Sequence, residues 1–194
     1  MKKIKFLLIF WVFPFLAFGQ EGQVKMRIYL IGDAGEMENG QHPVLEDLKN
    51  RLPKDSATIT HLIYLGDNIY PLGMPTKSSK SRQEAESILD AQLGIWPLIS
   101  GKVWMIPGNH DWKKGRKEGW TAILQAQEYV SENYAHENVK WLPENACPGP
   151  VSFNLDQNML LILIDSQWWL HKHEKPETTS LCTSKTQEDI IQSL

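Results

Sequence analysis

His61-Leu62-Ile63-Tyr64-Leu65-Gly66-Asp67-Asn68-Ile69-Tyr70 is the stretch on which the fold turns. Its apolar, β-favouring run stops at Gly66 and gives way to polar residues, the pattern of a buried strand that delivers Asp67 at its C-terminal tip. The same arrangement stands on either side. Val24 to Ile31 runs into Gly32-Asp33-Ala34-Gly35, and Val103 to Ile106 runs through Pro107 into Gly108-Asn109-His110-Asp111. Helical stretches are expected at His42 to Arg51, Ser81 to Leu93 and Trp120 to Tyr134, and strands alternating with helices predict a mainly parallel α/β sheet. Val151 to Leu155 and Met159 to Ile164, parted by Asp156-Gln157-Asn158, read as a hairpin that carries Asp165 at its end. Thr186 is placed to cap a last helix with acidic residues in its first turn. Pro71 to Ser81 reads as an exposed loop.

The three tips belong together. Ligands of open α/β sheets bind beyond the carboxyl ends of the strands, so these motifs converge on the rim where a site is expected. They offer two carboxylates, an amide oxygen, a phenol and an imidazole, a hard oxygen and nitrogen set suited to Fe, Zn or Mn. A carboxylate such as Asp67 can bridge two cations, which lower the pKa of a water and hold a phosphate oxygen for in-line attack. One Gly-Asp after a strand is only a turn signal. Three ligand-bearing tips on consecutive strands are more than turn chemistry.

These motifs resemble the first blocks of the calcineurin-like metallophosphoesterases, and more particularly the purple acid phosphatase branch. Many relatives begin with Asp-x-His, whose His binds the first metal, but Gly35 stands at that position here. The purple acid phosphatase pattern instead takes the Tyr of Gly-Asp-x-x-Tyr, which Tyr70 matches. The resemblance implies a ferric site with Asp33 and the Tyr70 phenolate, Asp67 as the bridge, and Asn109 on a divalent site of Fe, Zn or Mn. His110 would contact the phosphoryl group or protonate the leaving alkoxide, with Asp111 orienting its ring. The implied fold is an α/β/β/α sandwich of two sheets flanked by helices, and the implied substrate is a phosphate ester.

The family pattern continues with a strand ending in His and a Gly-His-x-His block, which supply three further imidazoles. After Asp111 the histidines are His136, His171 and His173, and none follows an apolar strand into a Gly turn. His171-Lys172-His173 reads instead as a loop at the cleft mouth, with Trp168 and Trp169 as packing or substrate-side aromatics. Residues 20–194 are therefore expected to form the N-terminal part of the domain, truncated before its second half, with little or no turnover alone. The alternative is a noncatalytic binding protein that keeps the fold without a complete metal site.

Residues 1–19 have the basic, then apolar, then small layout of an export signal, Met1-Lys2-Lys3-Ile4-Lys5 followed by Phe6 to Phe18 and Gly19. The expected location is periplasmic or extracellular, with no other membrane segment. An oxidising compartment makes a Cys147–Cys182 disulfide the expected pairing. The 194 residues carry 20 Lys and Arg against 23 Asp and Glu, a formal charge of -3. Cleavage after Gly19 would remove three lysines, so charge argues against a nucleic-acid surface.

Overall fold

The computed structural model describes residues 24–37, 42–53, 57–134, 138–176 and 181–194. The expected export signal and His136 lie outside them. Four strands form one parallel sheet in the order β1 (Met26–Ile31), β2 (Ile59–Tyr64), β3 (Val103–Met105) and β4 (Val139–Trp141). The crossovers carry helices α1 (Pro43–Arg51), α2 (Arg82–Leu93) and α3 (Gly119–Asn133). Pro43 opens α1, where its missing N–H costs no helix hydrogen bond.

The register explains why the strand tips meet. Ile31 pairs with Tyr64, Tyr64 with Met105 and Met105 with Trp141, so all four strands finish in one row. The ladder runs slightly past it, with Leu65 N–H donating to Ile31 C=O and Ile106 N–H to Tyr64 C=O.

Side-chain alternation divides the core between the two faces of the sheet. Leu62, Tyr64, Val103 and Met105 join α1 through Leu45 and Leu48, α2 through Ala85, Leu89 and Leu93, and α3 through Ile123, Ala126 and Val130. The buried positions of α2 and α3 recur at helical spacing, which is why both helices were legible in the sequence. Ile63 and Trp104 face the other way and meet the antiparallel hairpin of β5 (Val151–Asn154) and β6 (Leu160–Leu163) through Leu163, Val151, Phe153 and Leu161. The architecture is thus α/β, a four-stranded parallel sheet flanked by helices, with a two-stranded sheet on its opposite face.

One strand went unread in the sequence and one loop expectation needs correction. β4 was missed: three residues with Lys140 at their centre carry too little alternation to be read as a strand. The Trp168-Trp169 segment is a helix, α4 (Ser166–Leu170), rather than a loop. The Asp165 carboxylate accepts from the N–H groups of Gln167 and Trp168 and so starts it. Trp168 is fully buried and serves packing, not substrate.

The last helix, α5 (Gln187–Ser193), begins with a reciprocal cap between Thr186 and Asp189. It docks through Ile190, and a Cys147–Cys182 disulfide ties its approach to the β5 side. Among the described residues no helix is long and apolar enough to cross a membrane.

Candidate metal centre

The tips of β1 and β2 are stitched together by backbone. Asp33 N–H donates to Gly66 C=O, Gly35 N–H to Asp67 C=O, and Tyr70 N–H to Gly35 C=O. Asp33 and Asp67 both sit in the left-handed region, at φ 56° and 55°. Acidic residues tolerate it better than most because their short side chains can bond locally, and the surrounding hydrogen bonds over-determine it.

Close approach sets two glycines. A Cβ on Gly108 would lie 2.3 Å from Asp67 N and Oδ1, so only glycine lets the β3 tip pass the Asp67 carboxylate. A Cβ on Gly35 would lie 2.6 Å from backbone atoms of Asp67, Asn68 and Ile69. No side chain fits there without moving the Asp67 loop, so an imidazole could not be presented from this position in this backbone. The nearby phenol is Tyr70.

The structure brings Asp33, Asp67, Tyr70 and Asn109 into one oxygen-lined group. Tyr70 Oη donates to Asp33 Oδ1 at 2.7 Å and lies 3.4 Å from Asp67 Oδ2. Asp67 Oδ1 accepts from His110 N–H at 2.8 Å, which orients the carboxylate and leaves Oδ2 directed at the cluster. The Asn109 amide can turn its nitrogen to donate to Asp67 at 3.0 and 3.3 Å; in the opposite orientation its oxygen faces the same carboxylate at those distances. Oxygen against oxygen is repulsive unless a proton or a cation lies between them.

This donor set fits a cation. A single phenolic proton reconciles three oxygens at Tyr70, and the amide becomes an acceptor as soon as a cation supplies the charge. Burial first, then the hydrogen bond to Asp33, pushes the Tyr70 phenol above its ordinary value, so the phenol keeps its proton until a cation replaces it. Asp33 and Asn109 are exposed, and Asp67 and Tyr70 half-buried, so the group opens to solvent.

His110 and Asp111 separate in role. The His110 ring lies against Tyr70 with centroids 4.0 Å apart, and its Nδ1 bonds Pro71 C=O at 2.9 Å. The expectation that Asp111 orients this ring is corrected: Pro71 does so. The Asp111 carboxylate turns into the protein, accepting from Gly108 N–H at 2.8 Å and from the N–H groups of Asn68 and Ile69 at 3.1 Å. Burial raises its pKa to about 7 against the pull of these donors. Its geometry is that of a brace between the β2 and β3 tips.

Further supports escaped sequence reading. Asn68 Nδ2 donates to Ile106 C=O at 2.8 Å and to Asp111 at 3.0 Å, and Gln92 in α2 donates to Asn68 C=O at 2.7 Å. Trp112 Nε1 donates to Asp165 at 2.8 Å, linking the β3 tip to the hairpin's end. Gln92 carried no signal beyond being a polar residue on the apolar stripe of a helix.

The remaining described imidazoles do not join the cluster. His42 bonds Ala34 C=O, His61 stacks on Trp104, and His171 is buried against Trp112 with His173 beside it. Among the described residues no three His, Cys, Asp or Glu side chains gather as a metal-binding group. A sequence profile of the calcineurin-like phosphoesterases matches residues 26–183. No curated protein and no solved structure matches the chain.

Proposed function

Because the chain belongs to the calcineurin-like phosphoesterase family, we propose that it is an exported phosphomonoesterase of the purple acid phosphatase type. Asp33 and Tyr70 would hold a ferric ion, Asn109 a divalent ion of iron, zinc or manganese, and Asp67 would be shared between them. The observation that carries this reading is the Tyr70 hydroxyl 2.7 Å from Asp33 and 3.4 Å from Asp67, beside a Gly35 that leaves no room for an imidazole. When bound, the two cations would neutralise charge on the phosphoryl oxygens and bring the pKa of a water toward neutrality.

The chain's own residues do the rest. Asp67 is held ready by the His110 N–H, and Tyr70 would give up its phenolic proton to hold a cation. Pro71 C=O fixes the Nδ1 proton of His110, which leaves Nε2 as the nitrogen that exchanges a proton. Protonated there, His110 donates to the departing alkoxide. Asp111 keeps the β2 and β3 tips in register and touches no reacting atom. The Cys147–Cys182 disulfide favours an oxidising compartment and so supports export, with residues 1–19 as the signal.

The test is hydrolysis of p-nitrophenyl phosphate by the full-length, metal-supplied protein and by its Asp67→Asn variant. The variant is expected to lose more than about a hundredfold in kcat/KM, since even partners of metal ligands are worth ten to a hundredfold. Retained activity in the variant would overturn the site. A folded wild type without activity would favour the noncatalytic alternative.

A further inference from the structure

Beside the oxygen cluster lies a cavity of about 270 Å³, lined by Tyr70, Pro71, Ser79, Ser81, Glu84 and Lys113 among others. We propose that this cavity receives the leaving group of the substrate, and that Lys113 selects leaving groups bearing a second anion, a carboxylate or a phosphate. The inference rests on the phosphoesterase reading and adds the substrate class to it.

Position is the first argument. His110, which protonates the departing alkoxide in that reading, is bonded to two residues of the cavity wall and packs its ring against a third. Its Nδ1 bonds Pro71 C=O, its own C=O accepts from Lys113 N–H at 2.9 Å, and its ring lies on Tyr70. These contacts hold His110 against the cavity wall, next to which its leaving group would be released. The small volume admits a compact alcohol rather than a drug-sized group.

The cavity is also preformed. Its outer wall, the loop after Tyr70, is clamped from both flanking helices. Arg82 is buried and donates to Pro75 C=O at 2.7 Å, to Gln125 at 3.1 Å and to Glu86 at 2.6 Å. Lys77 reaches Glu128 at 3.0 Å and Glu132 at 3.4 Å. A wall held this way keeps its shape without ligand, so it can discriminate by fit.

Charge decides the class. Lys113 is half-buried, its backbone is held at φ 53°, and its ammonium has no hydrogen bond or ion pair among the described residues. A lysine enters that backbone region only where the surroundings impose it, here with its N–H fixed on His110. The opposing charge is Glu84, which is exposed in the first turn of α2, where it also meets the helix dipole. The less solvated charge acts more strongly, so the cavity favours an anion. Ser79 and Ser81 hydroxyls, 3.0 Å apart, can add hydrogen bonds.

The experiment compares substrates that differ in one anion, using the full-length, metal-supplied protein. 3-Phosphoglycerate against glycerol 3-phosphate reads a carboxylate, and propane-1,3-diol bisphosphate against its monophosphate reads a phosphate. The anionic member of at least one pair is expected to have about tenfold higher kcat/KM. That ratio should fall to about one in Lys113→Asn, which tolerates the left-handed backbone, and survive in Lys113→Arg. Ratios near one in the wild type, or unchanged in Lys113→Asn, overturn the proposal. If none of the four is hydrolysed although p-nitrophenyl phosphate is, the cavity proposal is overturned; if p-nitrophenyl phosphate is not hydrolysed either, the phosphoesterase reading fails, and calorimetric binding of the same compounds decides the cavity alone. Equal binding within each pair overturns it, and about tenfold tighter binding that Lys113→Asn removes upholds it.

Discussion

Gly35 shows how one missing side chain can fix the geometry of a rim. Its absent Cβ allows the β1 tip to lie against Asp67, Asn68 and Ile69 at distances no side chain permits. Gly35→Ala is expected to cost about 2–3 kcal/mol, in the range of overpacking, and to weaken metal uptake by displacing Asp67. Equilibrium unfolding and metal titration measure both, and an unchanged variant would contradict the packing argument. Asp165 gives a second residue-scale prediction. Burial lifts its carboxyl to about 7 although Trp112, Gln167 and Trp168 donate to it. The native state then binds this proton more tightly than the unfolded chain. Its contribution is full below about pH 4 and disappears as pH rises through about 7. The stability penalty of Asp165→Asn in the metal-free protein should accordingly shrink between about pH 4 and pH 7. A penalty growing over that range would contradict the assignment. The juxtaposition of Asp33, Asp67, Tyr70 and Asn109 was legible because each stands at a fixed distance from a Gly that follows an apolar run. The Asp111 contacts were not, because spacing along one chain does not say which way a carboxylate turns.

At the scale of elements, the strands with long apolar runs and the helices with helical spacing could be read from sequence, with boundaries moved by one to a few residues. β4 and α4 could not. β4 forms because Val103 N–H finds Asn138 C=O and the neighbouring edge needs a partner, a long-range cause invisible to local pattern. α4 forms around the Asp165 cap, a signal present in the sequence but masked by the paired tryptophans that follow. α5 depends on more than its cap. It is short, its Ile190 is wholly buried, and the disulfide anchors the chain just before it. The bridge spans 35 residues, and closing a loop of that length stabilises by about 3–4 kcal/mol in the chain-entropy picture. The Cys147→Ser, Cys182→Ser double variant should lose about that much in equilibrium unfolding. Hydrogen exchange should speed up most across Cys182 to Leu194. Uniform exchange and unchanged stability would show that the hydrophobic contacts of Ile190 suffice.

Across the whole molecule, the four-strand register is what turns separate motifs into a centre. Ile31, Tyr64, Met105 and Trp141 finish in one row, so residues far apart in sequence present oxygens to a common point. A slip of one residue in any parallel pair would reverse the faces of that strand and carry its tip away from the cluster. The second sheet is placed by the same alternation: Val151, Phe153, Leu161 and Leu163 turn inward, while Leu160 and Ile162 remain exposed on the outer face. Parallel order and rim were implicit in the spacing of Gly-Asp, Gly-Asp and Gly-Asn. The packing of the hairpin on the far face became visible only in three dimensions. The central claim is that this rim holds a pair of cations through Asp33, Asp67, Tyr70 and Asn109. Elemental analysis of the full-length protein, purified with iron and zinc supplied, tests it most directly. The account predicts bound iron with a second metal, visible phenolate-to-iron absorption lost in Tyr70→Phe, and metal lost in Asp67→Asn. A folded wild-type protein with no bound metal would contradict it.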